Sequence, residues 1–398
     1  MTDPVVLLDL TMLDTPSRQR GMGRYARDLA LGLAALPAEE RAGVDLLALT
    51  RLAPSGAYEV TRDLAAFEGN ADVPHPTARD HYRVAYTRRV ALALAARRIG
   101  AAWVHLTDPN ATPLARFVAP TRWLVTCHDL IALRFPERYF SARDGWGFVG
   151  RRLERRRYAS ADAVVAISDA TRDDVVSLLG IDPARVTRVH NGVDLARWRD
   201  VAASSVAPAV ERHGLTGRPY LLYVGDTDWR KNVDGMIAGL AAARREGSDV
   251  TLALAGVLSD ERAAAVDALA AAAGVGDRVR RLGYVGDDDL PSLLRGALAH
   301  LFVSRAEGFG MTVVEAMACG CPVITTHAGS LGEVAGDAAL LVDPEDHEAI
   351  GRAIVRLATQ PAERERLVVA GRAQAERFSN VAQARAMMAL YRRLATSG

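Results

Sequence analysis

The 398-residue sequence has little net charge, few cysteines and no long hydrophobic run. Its formal charge is +1, so it lacks the basic excess that would attract nucleic acid. The three cysteines are an odd number, and Cys319 and Cys321 do not have the spacing of a zinc ribbon. No segment approaches the roughly 18 apolar residues of a spanning helix, and the first residues lack the basic start and the cleavage site of a signal peptide. These absences predict a protein of the reducing cytoplasm.

Lysine is also nearly absent. Of the 49 basic residues, 48 are arginine and one is Lys231. Lysine is normally among the commonest residues, so a compositional bias has removed it nearly everywhere else. Its compact, mobile ammonium differs from the planar guanidinium of arginine. We therefore expect Lys231 to have a role that arginine cannot fill.

The composition that is present is globular, with 49% hydrophobic and 24% charged residues. Continuous apolar runs, typical of buried parallel strands, alternate with helical patterns from residue 5 onward, and the alternation restarts at residue 220. We predict an α/β protein with two Rossmann-like, doubly wound domains, residues 1–200 and 201–378. The weakly patterned segment 201–217 is the expected linker. Ligands of such an architecture bind in loops after the strands, in the cleft between the domains.

The strongest pattern is a strand, a glycine-containing loop and a helix start, followed by a Gly-Cys-Pro turn into the next strand. The loop predicts that the amides of Phe309, Gly310 and Met311 lie at a helix amino terminus, which suits an anionic ligand rich in oxygen. Glu307 lies in the loop and Glu315 on the helix, so the two carboxylates can bind opposite ends of one ligand through its hydroxyls. The alternative interpretation is a helix-dipole carboxylate beside an ordinary turn.

This stretch, Glu-Gly-Phe-Gly-Met-Thr-Val-Val-Glu-Ala-Met-Ala-Cys-Gly-Cys-Pro-Val-Ile, resembles the Glu-x7-Glu signature of the retaining glycosyltransferases of family 4. Segments 191–194, 329–334 and 341–344 resemble other motifs of that family, so the resemblance covers most of the chain. It implies the GT-B fold, with the two domains facing across a cleft and a last helix, within 379–398, that packs back on the first domain. It implies that the leaving diphosphate accepts the proton of the acceptor hydroxyl, without a metal or another cofactor.

The resemblance also implies residue roles and substrates. The first glutamate of the signature contacts the donor sugar and the second binds the ribose, so Glu307 and Glu315 take these roles, and the amides of Phe309, Gly310 and Met311 meet the sugar and its phosphate. The expected reaction transfers a hexose from a nucleoside diphosphate sugar to a hydroxyl of a glycan, a lipid-linked acceptor or a small molecule.

Arg230 and Lys231 lie together in the loop after the strand that ends near residue 224. Cations at this position stabilise a departing diphosphate more in the transition state than in the ground state, and the family uses the Arg and Lys of this loop in that way. The alternative is a solvated surface pair. The sequence departs from the family at Asp226, because many members have arginine directly after the glycine of the strand.

Two further candidates lie in the first half. A lone histidine is usually structural, but His128, in Thr-Cys-His-Asp-Leu, resembles the family's histidine that reaches the donor sugar, with Asp129 expected to orient the loop. Gly21 and Gly23 follow the first strand, where backbone amides can approach a phosphate. Their context, Arg-Gly-Met-Gly-Arg-Tyr, resembles a segment found in mannosyl- and related hexosyltransferases, which implies a diphosphate and acceptor side here and favours GDP-mannose as donor.

Two charged clusters have an ordinary and a functional interpretation. Asp287, Asp288 and Asp289 precede a helix, so we predict a helix cap in preference to a metal site. The basic stretch from Arg151 to Arg157 is either a solvated helix face or a peripheral contact with anionic lipid or a charged acceptor.

Rival functions also remain open. They are a sugar phosphorylase or nucleotide-sugar epimerase of the same fold, and a nucleotide-sugar-binding protein without turnover.

Overall fold

The computed structural model describes residues 3–14, 18, 21–53, 57–66, 90–111, 121–140 and 146–396. The chain divides into two compact units, one of Met1–Val193 with Ser379–Gly398 and the other of Asp194–Phe378. The division falls at residue 193, seven residues before the predicted boundary at residue 200.

The first unit is built on a sheet that has seven strands in the described part of the chain, in the order β3-β2-β1-β4-β5-β6-β7. All neighbouring pairs are parallel except β2 and β3. The inner strands are apolar on both faces, as the sequence predicts for a sheet covered by helices. The strands are β1 (Val5–Asp9), β2 (Asp45–Leu52), β3 (Tyr58–Thr61), β4 (Trp103–Leu106), β5 (Arg122–Cys127), β6 (Ala163–Ala166) and β7 (Val186–Arg188).

The helices of this unit lie mainly between the strands. The helix Asp169–Leu179 has clear end signals. The hydroxyl of Ser168 accepts from the amide of Thr171 at its start, and Gly180 ends it in the left-handed conformation. The helices are α1 (Gly21–Ala35), α2 (Ala38–Arg41), α3 (described over 90–99), α4 (Ile131–Arg134), α5 (Pro136–Tyr139), α6 (Trp146–Ala159) and α7 (Asp169–Leu179).

The second unit has a parallel sheet of six described strands, in the order β10-β9-β8-β11-β12-β13. Counted from β8, this is the 3-2-1-4-5-6 order of a Rossmann sheet. The strands are β8 (Tyr220–Val224), β9 (Thr251–Ala255), β10 (Val279–Gly283), β11 (Ala299–Phe302), β12 (Val323–Thr326) and β13 (Leu340–Val342). The helices are α8 (Leu195–Arg199), α9 (Ala203–Arg212), α10 (Val233–Arg245), α11 (Asp260–Ala272), α12 (Leu290–Gly296), α13 (Met311–Cys319), α14 (Leu331–Ala335), α15 (His347–Thr359) and α16 (Pro361–Glu376).

The final helix, α17 (Asn380–Thr396), belongs to the first unit and packs against α1. The two helices approach closely at Gly32, where a Cβ atom would lie 2.2 Å from the carbonyl oxygen of Asn380. Only glycine fits this crossing.

The prediction of two doubly wound, Rossmann-like domains is confirmed. The predicted linker is wrong, because most of segment 201–217 forms α9. This helix packs on α12, where Ser205 and Ser292 share a hydroxyl hydrogen bond of 2.7 Å. None of the described helices combines the length and the hydropathy needed to cross a bilayer.

The strand order determines where a ligand can bind in the second unit. Connections leave β8 toward β9 on one side, while β11 lies on its other side. The loops that follow β8 and β11 therefore diverge at the carboxyl edge of the sheet and leave a crevice between them. These are the loops that carry Arg230, Lys231 and Glu307.

Candidate active site

The loop after β8 is a short 3-10 turn, Trp229–Lys231, with a fixed geometry. A carboxylate oxygen of Asp228 accepts from the amide of Arg230 at 3.1 Å and caps the start of the turn. Asn232 ends it in the left-handed conformation with φ 59°, the one such non-glycine residue in the described part of the chain. Its side-chain oxygen then accepts from the amide of Gly235 and caps α10. The turn therefore presents Arg230 and Lys231 in a defined position.

The two cations converge on the carboxylate of Glu307. Lys231 Nζ donates to Oε1 at 2.6 Å and Arg230 Nη1 donates to Oε2 at 3.1 Å. The Glu307 side chain is 8% exposed and that of Lys231 is 13% exposed, so the contacts are shielded from water. Lys231 Nζ also lies 4.9 Å from the centre of the Phe302 ring. We call Arg230, Lys231 and Glu307 the charged triad; its net charge is +1.

The backbone of Glu307 is held as firmly as its side chain. Its carbonyl oxygen accepts from the amide and the hydroxyl of Ser330, each at 3.3 Å. Gly329 has φ +60°, and a Cβ atom there would lie 2.2 Å from the same carbonyl. The loop before α14 can therefore approach Glu307 only with glycine at this position.

The glycine-rich loop leads directly into α13. Gly310 is the residue before the helix, has φ +97°, and would place a Cβ atom 2.6 Å from Leu331 Cδ2. The first amides of α13, from Met311 on, lack partners within the helix and carry its positive dipole end. Phe309 is buried and packs edge-on against Phe378, with ring centres 5.6 Å apart. Its side chain is thus part of the core.

Glu315 is 1% exposed on α13, among buried apolar residues of the same helix. The structure does not bring it onto the charged triad. Glu307 and Glu315 thus occupy different surroundings, one bound by two cations and one within the helix layer.

Asp226, the departure from the family pattern, is used within its own loop. Its carboxylate accepts from the amide of Asp228 at 3.0 Å, and its carbonyl accepts from the hydroxyl of Tyr223. The side chain therefore orders the turn that carries the cations.

Two residues that the sequence did not single out hold this site together. Asn232 Nδ2 donates to the carbonyls of Val303 and Pro344, both at 2.8 Å, and so joins the loops after β8, β11 and β13. Arg305 joins the same loops through Asp234 and Glu345. The position of Asn232 just before a helical pattern could have predicted its capping role. No sequence pattern could have predicted the role of Arg305, because its partners Asp234 and Glu345 lie 71 and 40 positions away.

In the first unit, His128 directly follows β5 and is half-buried. Its Nε2 donates to the carbonyl of Thr107 at 2.8 Å, which leaves Nδ1 as an acceptor in the neutral ring. Tyr25 packs edge-on against it, with ring centres 4.9 Å apart. Burial lowers the pKa of His128, so the neutral form is favoured. Asp129 accepts from the amide of Ile131 at 3.1 Å and orders the loop.

Behind His128 lies a buried hydrogen-bonded chain that sequence reasoning missed. Thr126 Oγ1 contacts the hydroxyl of Tyr25 at 3.0 Å and Nε2 of His105 at 2.8 Å. The other ring nitrogen of His105 lies 2.6 Å from the hydroxyl of Tyr391 on α17. Burial lowers the pKa of His105 to about 3. The chain thus ties the last helix to the strand that ends before His128.

Gly21 and Gly23 lie inside the first turn of α1 instead of in a loop that precedes it. Gly21 is exposed, and a Cβ atom there would have no neighbour within 4 Å, whereas Gly23 is buried. They can still offer first-turn amides. Arg20, the first residue of that motif, is outside the described residues.

Two members of the aspartate cluster, Asp287 and Asp289, form ion pairs with basic side chains. Asp287 pairs with Arg197 at 2.7 Å, and Asp289 pairs with Arg212 and, at 3.0 Å, with His213. Asp289 is the residue before α12, as predicted, but its side chain makes no capping hydrogen bond. The predicted position is therefore right and the predicted interaction is wrong.

The basic stretch forms part of α6. Arg151, Arg152, Arg155 and Arg156 are exposed on one side, while Arg157 pairs with Glu154. Residues spaced in this way share one face of a helix.

Comparison with known proteins identifies two matching family models, one for each half of the chain. The model described as "Glycosyltransferase Family 4" matches residues 19–197. The model described as "Glycosyl transferases group 1" matches residues 209–374.

Individual proteins match over much of the chain. The O-antigen chain mannosyltransferase B of Escherichia coli is 32% identical over 264 residues, which are 65% of this chain and 67% of the relative. The glycogen synthase of Mycobacterium tuberculosis is 30% identical over 378 residues, covering 88% of this chain and 86% of the relative. Among solved structures, Anabaena HepE in complex with UDP-glucose has a TM-score of 0.69 at 18% identity and covers 97% of this chain and 98% of its own.

Proposed function

Because the chain belongs to the group 1 glycosyltransferases of family 4 and has their GT-B fold, we propose that it moves a hexose from a nucleoside diphosphate sugar to an acceptor hydroxyl with retention of the anomeric configuration. That it is a glycosyltransferase acting on nucleotide sugars follows from the family. The donor, the stereochemistry and the acceptor are the parts we propose.

The charged triad is the observation that supports the proposal best. A departing nucleoside diphosphate gains negative charge as the glycosidic bond breaks, and two cations beside it stabilise the transition state more than the bound donor. Arg230 and Lys231 provide them at the carboxyl edge of a Rossmann sheet. Helix α13 begins four residues after Glu307, and its amino end adds a favourable dipole.

Donor binding then exchanges partners within the triad. A diphosphate that occupies Arg230 and Lys231 replaces the carboxylate of Glu307, which turns to the hydroxyls of the sugar. Glu315 binds the ribose, whose charge does not change during the reaction. The two acidic residues therefore act at different steps, Glu307 on the reacting sugar and Glu315 on nucleotide affinity.

Retention is consistent with the lack of a dedicated base among the proposed site residues. The leaving diphosphate accepts the proton of the acceptor hydroxyl on the same face of the sugar. His128 takes the catalytic role in the first unit as a neutral imidazole with Nδ1 free to accept from a sugar hydroxyl, a form that its lowered pKa maintains. Gly21 and Gly23 contribute first-turn amides of α1 to the diphosphate and acceptor side.

The base of the donor has an exposed apolar surface available at the carboxyl edge of the same sheet. Val257 is 73% exposed and Tyr284 is 61% exposed, in the loops after the adjacent strands β9 and β10. The two loops are joined by a hydrogen bond of 2.8 Å from the amide of Gly256 to the carbonyl of Gly283. We assign this surface to the base. Similarity to a mannosyltransferase favours GDP-mannose as the donor.

The acceptor is a hydroxyl of a glycan, a lipid-linked precursor or a small molecule. The exposed arginine face of α6 would attract an acceptor that carries phosphate, or an anionic membrane surface on which it is anchored. The cytoplasm is the proposed site of the reaction.

The test is release of nucleoside diphosphate in the presence and absence of acceptor alcohols, after a thermal-shift screen of GDP-, UDP-, ADP- and dTDP-sugars has selected the donor. Release that requires the acceptor supports transfer. Conversion of the donor without an acceptor would indicate an epimerase, a requirement for phosphate would indicate a phosphorylase, and binding without turnover would indicate a binding protein.

A further inference from the structure

We propose that Arg305 is a positioning residue that fixes Arg230 and Lys231 relative to Glu307. The inference rests on the proposed function, because it concerns how the diphosphate site of that reaction is held in place. It gives a role to a residue that lies two positions before Glu307 but takes no part in the chemistry described above.

The side chain of Arg305 is fully engaged by protein groups. Nε donates to Glu345 Oε1 at 2.6 Å, Nη2 donates to Asp234 Oδ2 at 2.8 Å, and Nη1 donates to Asp234 Oδ1 at 2.9 Å and to the carbonyl of Trp229 at 3.1 Å. The guanidinium also lies over the Trp229 ring, 5.7 Å from its centre. The side chain is 12% exposed, so these contacts leave little of it to meet a substrate.

These contacts connect Arg305 to the stretch 229–234 and to the loop after β13. Trp229 opens the turn that carries the two cations, Asp234 lies in the first turn of α10, and Glu345 lies after β13. The main chain adds a fourth connection, because the amide of Arg305 donates to the carbonyl of Arg230 at 2.7 Å. Arg305 is therefore hydrogen-bonded, through both its backbone and its side chain, to the turn Trp229–Lys231.

Only arginine can make this set of contacts. A guanidinium offers five donors in a rigid plane and can bind a carboxylate with two parallel hydrogen bonds. An ammonium is a point charge and cannot hold Asp234, Glu345 and the Trp229 carbonyl at once. The hydrogen bonds to Asp234 and Glu345 raise the pKa of Arg305, so the charge is permanent. Replacement by lysine would keep the charge but lose hydrogen bonds that hold the turn Trp229–Lys231 in place.

The experiment compares Arg305→Lys with Arg281→Lys by titration with inorganic pyrophosphate, which needs no transfer activity. Arg281 is the matched control, since it binds Asp267 through two hydrogen bonds of 2.9 Å on an exposed part of β10. Each variant is also made in a Lys231→Ala background. Thermal unfolding of all variants measures any loss of stability separately.

We expect Arg305→Lys to weaken pyrophosphate binding about 10-fold, the equivalent of one charge-assisted contact. We expect kcat/KM to fall about 100-fold, the scale of a 1 Å misplacement. Arg281→Lys should change neither. In the Lys231→Ala background the effect of Arg305→Lys should shrink, because the cation it positions is gone. A residue that only stabilises the fold would lower the melting temperature without this coupling.

Equal pyrophosphate affinity in Arg305→Lys and Arg281→Lys, or full additivity with Lys231→Ala, would overturn the inference and leave the proposed function intact. A wild-type protein that binds neither pyrophosphate nor any nucleoside diphosphate would refute the proposed function itself. If Arg305→Lys does not fold, Glu345→Gln decides, with Glu348→Gln as its control on the exposed Arg245 pair. Weaker binding in Glu345→Gln alone supports the inference, and unchanged binding overturns it.

Discussion

Replacing Glu307 by glutamine should strengthen the binding of free pyrophosphate or nucleoside diphosphate while it slows transfer. Lys231 and Arg230 both donate to the Glu307 carboxylate, at 2.6 and 3.1 Å. A diphosphate must displace this carboxylate to reach the cations. Glutamine keeps the size of the side chain and one acceptor oxygen but removes the competing charge.

The size of the effect follows from the contacts that are weakened. A hydrogen bond to a charged group contributes about 1.5–3 kcal/mol, and about 1.4 kcal/mol corresponds to a factor of ten in a binding constant. Because glutamine still accepts one hydrogen bond, we count one such contact as lost and expect the dissociation constant of pyrophosphate to fall about 10-fold. The unliganded variant should melt at a lower temperature, since Lys231 loses the partner of a mostly buried charge.

The assay is isothermal titration with pyrophosphate and with the matching nucleoside diphosphate, together with kcat for transfer. Glu363→Gln is the matched control. Glu363 is 11% exposed and also lies between two cations, Arg356 at 2.7 Å and Arg366 at 3.0 Å, but on α16. Glu363→Gln should leave the diphosphate affinity and kcat unchanged. Weaker diphosphate binding in Glu307→Gln would refute the reasoning, because it would mean that the carboxylate supports the diphosphate instead of competing with it.

Four further outcomes follow from the same geometry. Lys231→Ala should lower kcat/KM by at least about 100-fold, because it removes a charge contact that strengthens in the transition state, and Lys231→Arg should also be poor; near-normal rates for the alanine variant would contradict the diphosphate role. Glu315→Gln should mainly raise the donor KM and the dissociation constant of the free diphosphate, and a loss confined to kcat would show that it does not hold the ribose. Activity should survive exhaustive EDTA treatment, since Arg230, Lys231 and α13 take the place of a metal; activity restored only by Mn²⁺ or Mg²⁺ would disprove this. Burial lowers the pKa of His105 from 6.5 to about 3, so the unfolded chain binds the proton more readily and stability should fall by up to about 1.4 kcal/mol per pH unit as the pH drops between these values. Burial also lowers the pKa of His128 and of His300, so His105→Gln should reduce the slope in pH-dependent thermal unfolding by the contribution of one group, and an unchanged slope would locate the titration elsewhere.

The sequence predicted the elements of the second unit well because their signals are local. The runs that become β8 and β11 are continuously apolar, and the glycines of the loop before α13 mark its turn. The charged triad was not predicted as a unit. Lys231 and Glu307 are 76 positions apart, and the resemblance assigned them to different parts of the donor. That they bind each other depends on strand order, which no local pattern contains.

Two errors have the same origin. Segment 201–217 has few large apolar side chains and contains Pro208, although α9 is amphipathic and packs closely on α12, where a Cβ atom at Gly296 would lie 2.9 Å from Val206. Its composition therefore resembled a linker. Asp289 has the position of a helix cap, but Arg212 and His213 are near enough in space to take its oxygens. In both cases a partner distant in sequence decided the structure.

The chain of hydrogen bonds from Tyr391 to Thr126 has a consequence for biosynthesis. The first unit needs α17 to complete it, yet α17 is translated only after the whole second unit. Until then His105, which contacts Thr126 through its other ring nitrogen, lacks the hydroxyl of Tyr391. The second unit is contiguous in sequence and can fold during translation. The amino-terminal unit therefore begins to fold first and completes its folding last. It reaches its native state only once synthesis has passed Tyr391.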